Sequence, residues 1–280
     1  VTNFVRRTIT GAFIVVFVLG GIWLHPVSFF IVGAAMIAGT QYEYYMMAKN
    51  AGIFPQVVMG MITGLAVYII SSLVAAGVIA RSSFLWIILP VFIVLSAELF
   101  RKTGRPFDSL AHTFFSVLYT AVPVSLFPFA AFGHTGVAPL AAMNGVEFSP
   151  GIVIAFFLLL WTNDTGAYLV GSAAGRHRLF ERLSPKKSWE GFFGGVVLTV
   201  AVSLLMPRWI GVTGRTGWMI IALIISVAGT AGDLVESMLK RSLGLKDSGT
   251  VMPGHGGFLD RFDSVVVSFP LVYLFITFAG

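Results

Sequence analysis

Residues 217–239 read GWMIIALIISVAGTAGDLVESML, residues 240–262 read KRSLGLKDSGTVMPGHGGFLDRF, and residues 263–279 read DSVVVSFPLVYLFITFA. The two outer runs are apolar and have the length of a membrane-crossing helix, about 17–25 residues. Between them lies a polar segment. From Ser237 to Asp263 it offers cations (Lys240, Arg241, Lys246, Arg261) and hard oxygen ligands (Asp247, Asp260, Asp263). Gly254, Gly256 and Gly257 leave its backbone free to approach a ligand closely. Anion donors, carboxylates and flexible backbone between two membrane helices point to a phosphate and metal site at a membrane surface.

The alternation of apolar run and polar break continues through the whole chain. The 280 residues are 57% hydrophobic and 11% charged, with mean hydropathy +0.90. A soluble domain carries about 25% charged residues, so the chain is expected to be an all-α integral membrane protein. Nine spans follow, at roughly 8–24, 27–48, 57–78, 84–100, 110–132, 150–171, 191–211, 217–239 and 263–279. The first two are separated only by His25-Pro26. The basic start at Val1–Arg7 is followed by an apolar run too long for a signal peptide, so no cleavable signal is expected. Without cysteine there is neither a disulfide framework nor a thiolate site.

Charge sets the orientation. With the N-terminus in the cytoplasm, 15 of the 18 Lys and Arg residues fall on the inner side. Only Arg81, Arg208 and Arg215 fall outside. The positive-inside rule therefore favours a cytoplasmic N-terminus. Topology and anionic lipid account for the net charge of +6, and nucleic acid is not needed as a partner.

Acids within spans are costly and mark function by default. Asp164, Asp233, Glu236, Asp260 and Asp263 are far apart in sequence yet reach one membrane face under this topology. Asp233, Glu236, Ser237 and Lys240 follow helical spacing and share a stripe. Asp164 and Tyr168 repeat the pattern. Each has a structural alternative. Asp260 could cap the last helix, Asp233 or Glu236 could pair with Lys240 or Arg241, and Asp164 beside Asn163 could bond between helices. Glu43 and Glu98 read as interhelical hydrogen-bonding groups away from the cluster. The basic loop 172–190 brings Lys186, Lys187, Ser188 and Glu190 to the start of a helix, where anions bind. Its Leu179, Phe180 and Leu183 suggest an interfacial segment. His255 has no second histidine at metal spacing, which leaves a phosphate bond or a loop role. Several carboxylates without a Cys or His cluster suit Mg²⁺, and nearby Lys and Arg suit a polyphosphate.

The run Ser237-x-Leu239-Lys240-Arg241-x4-Lys246-Asp247-x-Gly249-x2-Met252-Pro253-x-His255-Gly256-Gly257-Phe258-x-Asp260-Arg261-Phe262-Asp263 resembles the signature of the phosphatidate cytidylyltransferases, the CDP-diacylglycerol synthases. It departs from that signature at Met252, which remains apolar. The resemblance implies Mg²⁺-dependent transfer of CMP from CTP to phosphatidate, with K⁺ beside the Mg²⁺, in a homodimer. It implies a bacterial inner membrane and a site facing the cytoplasm. By the same resemblance Asp233, Asp260 and Asp263 are metal ligands. Lys240, Arg241 and Lys246 handle the triphosphate with the loop Pro253, His255, Gly256 and Gly257. Lys186, Lys187, Ser188 and Glu190 line the nucleotide site, and Asp164, Glu236, Ser237, Asp247 and Arg261 are further substrate-binding candidates. Residues 1–140 are then a scaffold with lipid cavity and dimer contacts, and 141–280 a catalytic region with loops 172–190 and 240–262. A CTP-dependent polyprenol kinase and a secondary transporter are the competing expectations. The transporter predicts acids at the bilayer midplane and inverted repeats, neither of which the sequence offers.

Overall fold

In the computed structural model the described residues are 3–132, 141–143, 146–206, 210, 214–246, 249 and 257–279. Long helices dominate. The N-terminal half comprises α1 (Asn3–Leu24), α2 (Pro26–Asn50), α3 (Val57–Ala75), α4 (Ile88–Phe100) and α5 (Pro106–Ser116), followed by the short α6 (Val122–Val124) and α7 (Phe127–Ala131). The C-terminal half comprises α8 (Gly151–Ala174), α9 (Trp189–Ser203), α10 (Arg215–Ser242) and α11 (Asp263–Ala279). Each of the nine expected apolar segments contains helix among the described residues, but the expected 191–211 span is helical only to Ser203. Five described spans are long and apolar enough to cross a membrane: 57–75, 81–100, 106–131, 151–174 and 215–242. Very exposed Leu99, Phe100, Phe107 and Phe278 give the surface the apolar character of a membrane protein.

The breaks have local causes. His25 separates α1 from α2 because its ring accepts the Val27 N–H while Ser28 Oγ accepts the His25 N–H, a reciprocal cap just before Pro26. The expected single span 110–132 is interrupted. A π-helical stretch at Val117–Ala121 leads into turns around Pro123 and Pro128, which lack the N–H a continuous helix needs. The loops also hold strand. β1 (Ala141–Met143) pairs with β2 (Val146–Phe148), and β3 (Arg178–Phe180) with β4 (Ser184–Ser188), both antiparallel. The second hairpin lies within the loop expected at 172–190.

One apolar core joins the two halves. Phe127 of α7 meets Phe269 of α11 edge-on at 4.3 Å between ring centroids, and Phe156 of α8 meets it at 5.0 Å. Such pairs add about 0.5–1.5 kcal/mol beyond area burial. The core therefore runs across the 140/141 division.

Candidate active site

Helices α8, α9, α10 and the start of α11 enclose a cavity of about 410 Å³, within the usual range for small-molecule sites, about 300–1,000 Å³. Glycine allows the helices to close around it. A Cβ added at Gly191 would lie 3.1 Å from the Gly171 Cα and 2.8 Å from the Ala167 carbonyl. One added at Gly232 would lie 2.6 Å from the Asp263 carbonyl. α9 can thus lie directly on α8, and α11 on α10. Gly195, one turn further along α9, likewise sits against Asn163. Asn163 and its neighbour Asp164 both reach the cavity.

Asp164, Lys186, Lys187, Ser188 and Asp233 all line this cavity. Lys187 Nζ lies 2.6 Å from Asp233 Oδ2. Asp263 is buried behind the lining, at the N-terminus of α11, where its carboxylate accepts the Ser264 N–H. Asp233, Asp164 and Lys187 are near enough to act on it electrostatically. Arg261 acts on Asp164 in the same way. The lining thus sets Asp164 and Asp233 against Lys186 and Lys187, with Asp263 buried behind them and Arg261 acting on Asp164.

A second cluster lies one turn further along α10. Lys240 Nζ bonds Glu236 Oε2 at 2.7 Å and Asp260 Oδ1 at 2.8 Å. The other Asp260 oxygen accepts the Gly257 N–H at 3.0 Å. Burial alone would raise the Asp260 carboxyl, but its bonds with Glu236, Lys240 and Gly257 outweigh burial and hold it below the usual carboxylate range. The expected stripe thus splits along the helix axis, since Lys240 lies two turns, about 10 Å, beyond Asp233. Asp233 turns to the cavity, and Glu236 and Lys240 turn to Asp260. Asp260 does not cap α11, since its acceptors are occupied by Gly257 and Lys240.

Several expected site residues stand apart from the cavity. Arg241 and Lys246 are exposed, and among the described residues the Arg241 guanidinium bonds the Leu245 carbonyl, at 3.4 Å. Ser237 is half-buried on α10 and does not line the cavity. Glu190 accepts the Arg176 and His177 N–H groups at 3.1 and 3.2 Å and contacts His177 Nδ1 at 2.6 Å, bolting the β3–β4 hairpin to α9. The bond with His177 holds the Glu190 carboxyl down at about 2. Ser188 caps α9 by accepting the Gly191 N–H at 3.1 Å. Asp247, Pro253, His255 and Gly256 lie outside the described residues.

Sequence reasoning missed one member. Glu43, expected to lie away from the cluster, accepts the Leu259 N–H next to Asp260. Only its placement in an apolar run signalled importance.

The model of the cytidylyltransferase family matches residues 5–279, nearly the whole chain and all of the elements described above. The chain belongs to the cytidylyltransferase family. Among its relatives, the phosphatidate cytidylyltransferase of Staphylococcus epidermidis is 36% identical over 187 residues, spanning 66% of this chain and 66% of that protein. The proteins of the same name from Staphylococcus aureus and Staphylococcus haemolyticus are 37% and 34% identical over the same lengths and shares.

In this cytidylyltransferase-family chain the donor set fits a hard divalent ion. Asp263 is a buried carboxylate that accepts a backbone N–H, and it lies beside Asp233 and Asp164. No three His, Asp or Glu side chains converge as a metal cage among the described residues. Mg²⁺ does not require one, because it is usually held by one or two carboxylates together with water and substrate phosphates.

Proposed function

We propose that this chain is a phosphatidate cytidylyltransferase, transferring CMP from CTP to phosphatidate with release of pyrophosphate. The observation carrying this reading is the cavity in which Lys186, Lys187 and Ser188 stand opposite Asp164 and Asp233, in a chain of the cytidylyltransferase family. The names of its relatives point the same way. The concentration of Lys and Arg in the loops on this side supports a site facing the cytoplasm, where CTP is available.

The acceptor is its own nucleophile. A phosphomonoester has a second pKa of about 6, so phosphatidate is largely dianionic at neutral pH and no general base is needed. One of its phosphate oxygens forms a bond to the α-phosphorus of CTP, and the bond from that phosphorus to the bridging oxygen breaks. Pyrophosphate carries the electron pair away. The difficulty is the approach of two anions. Lys186 and Lys187 offset that repulsion, and Lys187 can exchange its Asp233 partner for a phosphate oxygen as substrate enters. The Ser188 hydroxyl has a proton to donate while its oxygen caps α9. Asp233 and Asp263 would hold Mg²⁺, which when bound neutralises charge on phosphate oxygens. Asp260 could join them only by leaving Lys240. Positioning and electrostatics thus carry the rate.

Labelled CTP tests the reading. With phosphatidate and a divalent ion, label at the α-phosphate should enter the lipid and label at the γ-phosphate should leave as pyrophosphate. Transfer of the γ-label into a lipid alcohol would establish a kinase instead. Uptake of a solute without transfer of either label would establish a transporter.

A further inference from the structure

Two acids lie buried in the N-terminal helices, and their surroundings differ. Glu98 is fully engaged: Gln56 Nε2, Arg101 Nη1 and Thr103 Oγ1 bond its two oxygens at 2.6, 2.7 and 2.8 Å. That network ties the ends of α3, α4 and α5 together and needs no other purpose. Glu43 on α2 is 1% exposed. One of its oxygens accepts the Leu259 N–H, across 216 residues of sequence. Its other oxygen has no hydrogen-bond partner among the described residues. Gly249 lies so close to the Glu43 carboxylate that any Cβ there would strike it.

The rest of the same α2 face grips the same turn. Gly39 lies under the Phe258 ring, with an added Cβ only 2.7 Å from the ring. Met47 packs in one apolar cluster with Leu259. Positions 39, 43 and 47 recur every four residues and form one stripe. Both ends of the segment 249–259 therefore rest on a single stripe of α2. The turn leads directly to Asp260, on Lys240, and to Asp263, against Gly232 beside Asp233. An apolar side chain would fill the Glu43 position at lower cost than a buried carboxylate. The carboxylate supplies an acceptor for Leu259, which an apolar residue could not.

We propose that Glu43 is a positioning residue for the transfer site: its bond to Leu259 fixes the turn that sets Asp260 and Asp263. This rests on the cytidylyl-transfer reading above. The N-terminal helices then contribute to alignment of the phosphates as well as to anchorage.

Two conservative variants of the full chain separate geometry from charge. Glu43→Gln keeps an acceptor oxygen at full reach and loses the charge. Glu43→Asp keeps the charge and is one methylene too short for Leu259. With purified enzyme, CTP and phosphatidate, Glu43→Asp should lower kcat by about 10²-fold, the scale of an ångström misplacement. Its KM for CTP should change far less, and amide exchange across 257–262 should accelerate. Glu43→Gln should restore both turnover and protection. The opposite order, with Gln impaired and Asp active, would overturn the proposal in favour of a role for charge. Equal behaviour of the two variants would also overturn it. The exchange readout needs no turnover. If the wild-type chain transfers no cytidylyl group, the functional reading fails by itself, while slow exchange in Gln and fast exchange in Asp still measures the contact.

Discussion

The cavity around Asp233 and the cluster around Lys240 are built from the same residue types on the same helix, and they do opposite work. In the cluster, Lys240 is shared by Glu236 and Asp260, with a backbone N–H completing the set. Its Lys240 side chain is only 14% exposed. In the cavity, Lys187 pairs with Asp233, and the walls are open to a ligand. The first arrangement closes on Lys240 and braces α10 against the turn before α11, although the second Glu236 oxygen has no hydrogen-bond partner among the described residues. The second brings Asp263 up behind a wall formed by Asp164, Asp233, Lys186 and Lys187, a mixed-charge surface suited to a cation and phosphate-bearing ligands. Residue type alone does not distinguish them; one is closed on its own lysine and the other is open to a ligand.

Asp263→Asn breaks this comparison most severely. It keeps the size and an oxygen able to accept the Ser264 N–H, and it removes one charge from the acidic group. Activity should fall by about 10²–10³-fold, the scale of losing a preorganised electrostatic contact. Thermal stability should hold or rise, because repulsion from Asp233 and Asp164 is relieved. A variant that keeps full activity would remove Asp263 from the site.

Lys240→Met should show the reverse emphasis. It leaves buried Glu236 and half-buried Asp260 without their shared cation, and removing one partner of a buried pair costs about 3–5 kcal/mol. Thermal unfolding in detergent, with residual activity measured well below the transition, checks this. If Lys240→Met unfolds like the wild type but loses affinity for CTP, then Lys240 binds triphosphate, as the signature resemblance implies, and the brace interpretation fails.

Much of this fold could be read from sequence because its signals are local. Apolar length located the helices, and His25-Pro26 marked the break between α1 and α2. Pro123 and Pro128 were present in the expected fifth span, but hydropathy averages over them and hid the π-helical interruption. The β3–β4 hairpin was hidden because its strands are short and mostly exposed, without the alternation that marks a half-buried strand. For the site, helical spacing grouped Asp233 with Glu236 and Lys240, yet the partners came from other elements. Asp233 pairs with Lys187 from β4, and Lys240 with Asp260 from the turn before α11. Pairings across 46 and 20 residues depend on how helices cross, which glycines such as Gly191 and Gly232 set by tertiary contact. Glu43 was misjudged for the same reason: nothing near it in sequence names Leu259.

Ser188 belongs to both kinds of structure, and it should give the smallest and most discriminating effect. Its oxygen caps α9, and it also lines the cavity. Replacement by alanine removes the cap and should cost about 1 kcal/mol, whereas glycine is tolerated at this position at only a few tenths. The two variants therefore differ in stability but share the loss of the hydroxyl. If the hydroxyl donates to the nucleotide, both should raise the KM for CTP by the same factor, with kcat little changed. Should KM instead follow stability, rising for alanine and not for glycine, Ser188 acts on the site only through α9. In that case Lys186 and Lys187 remain as the anion-binding contribution of the hairpin, and Ser188 belongs with the brace.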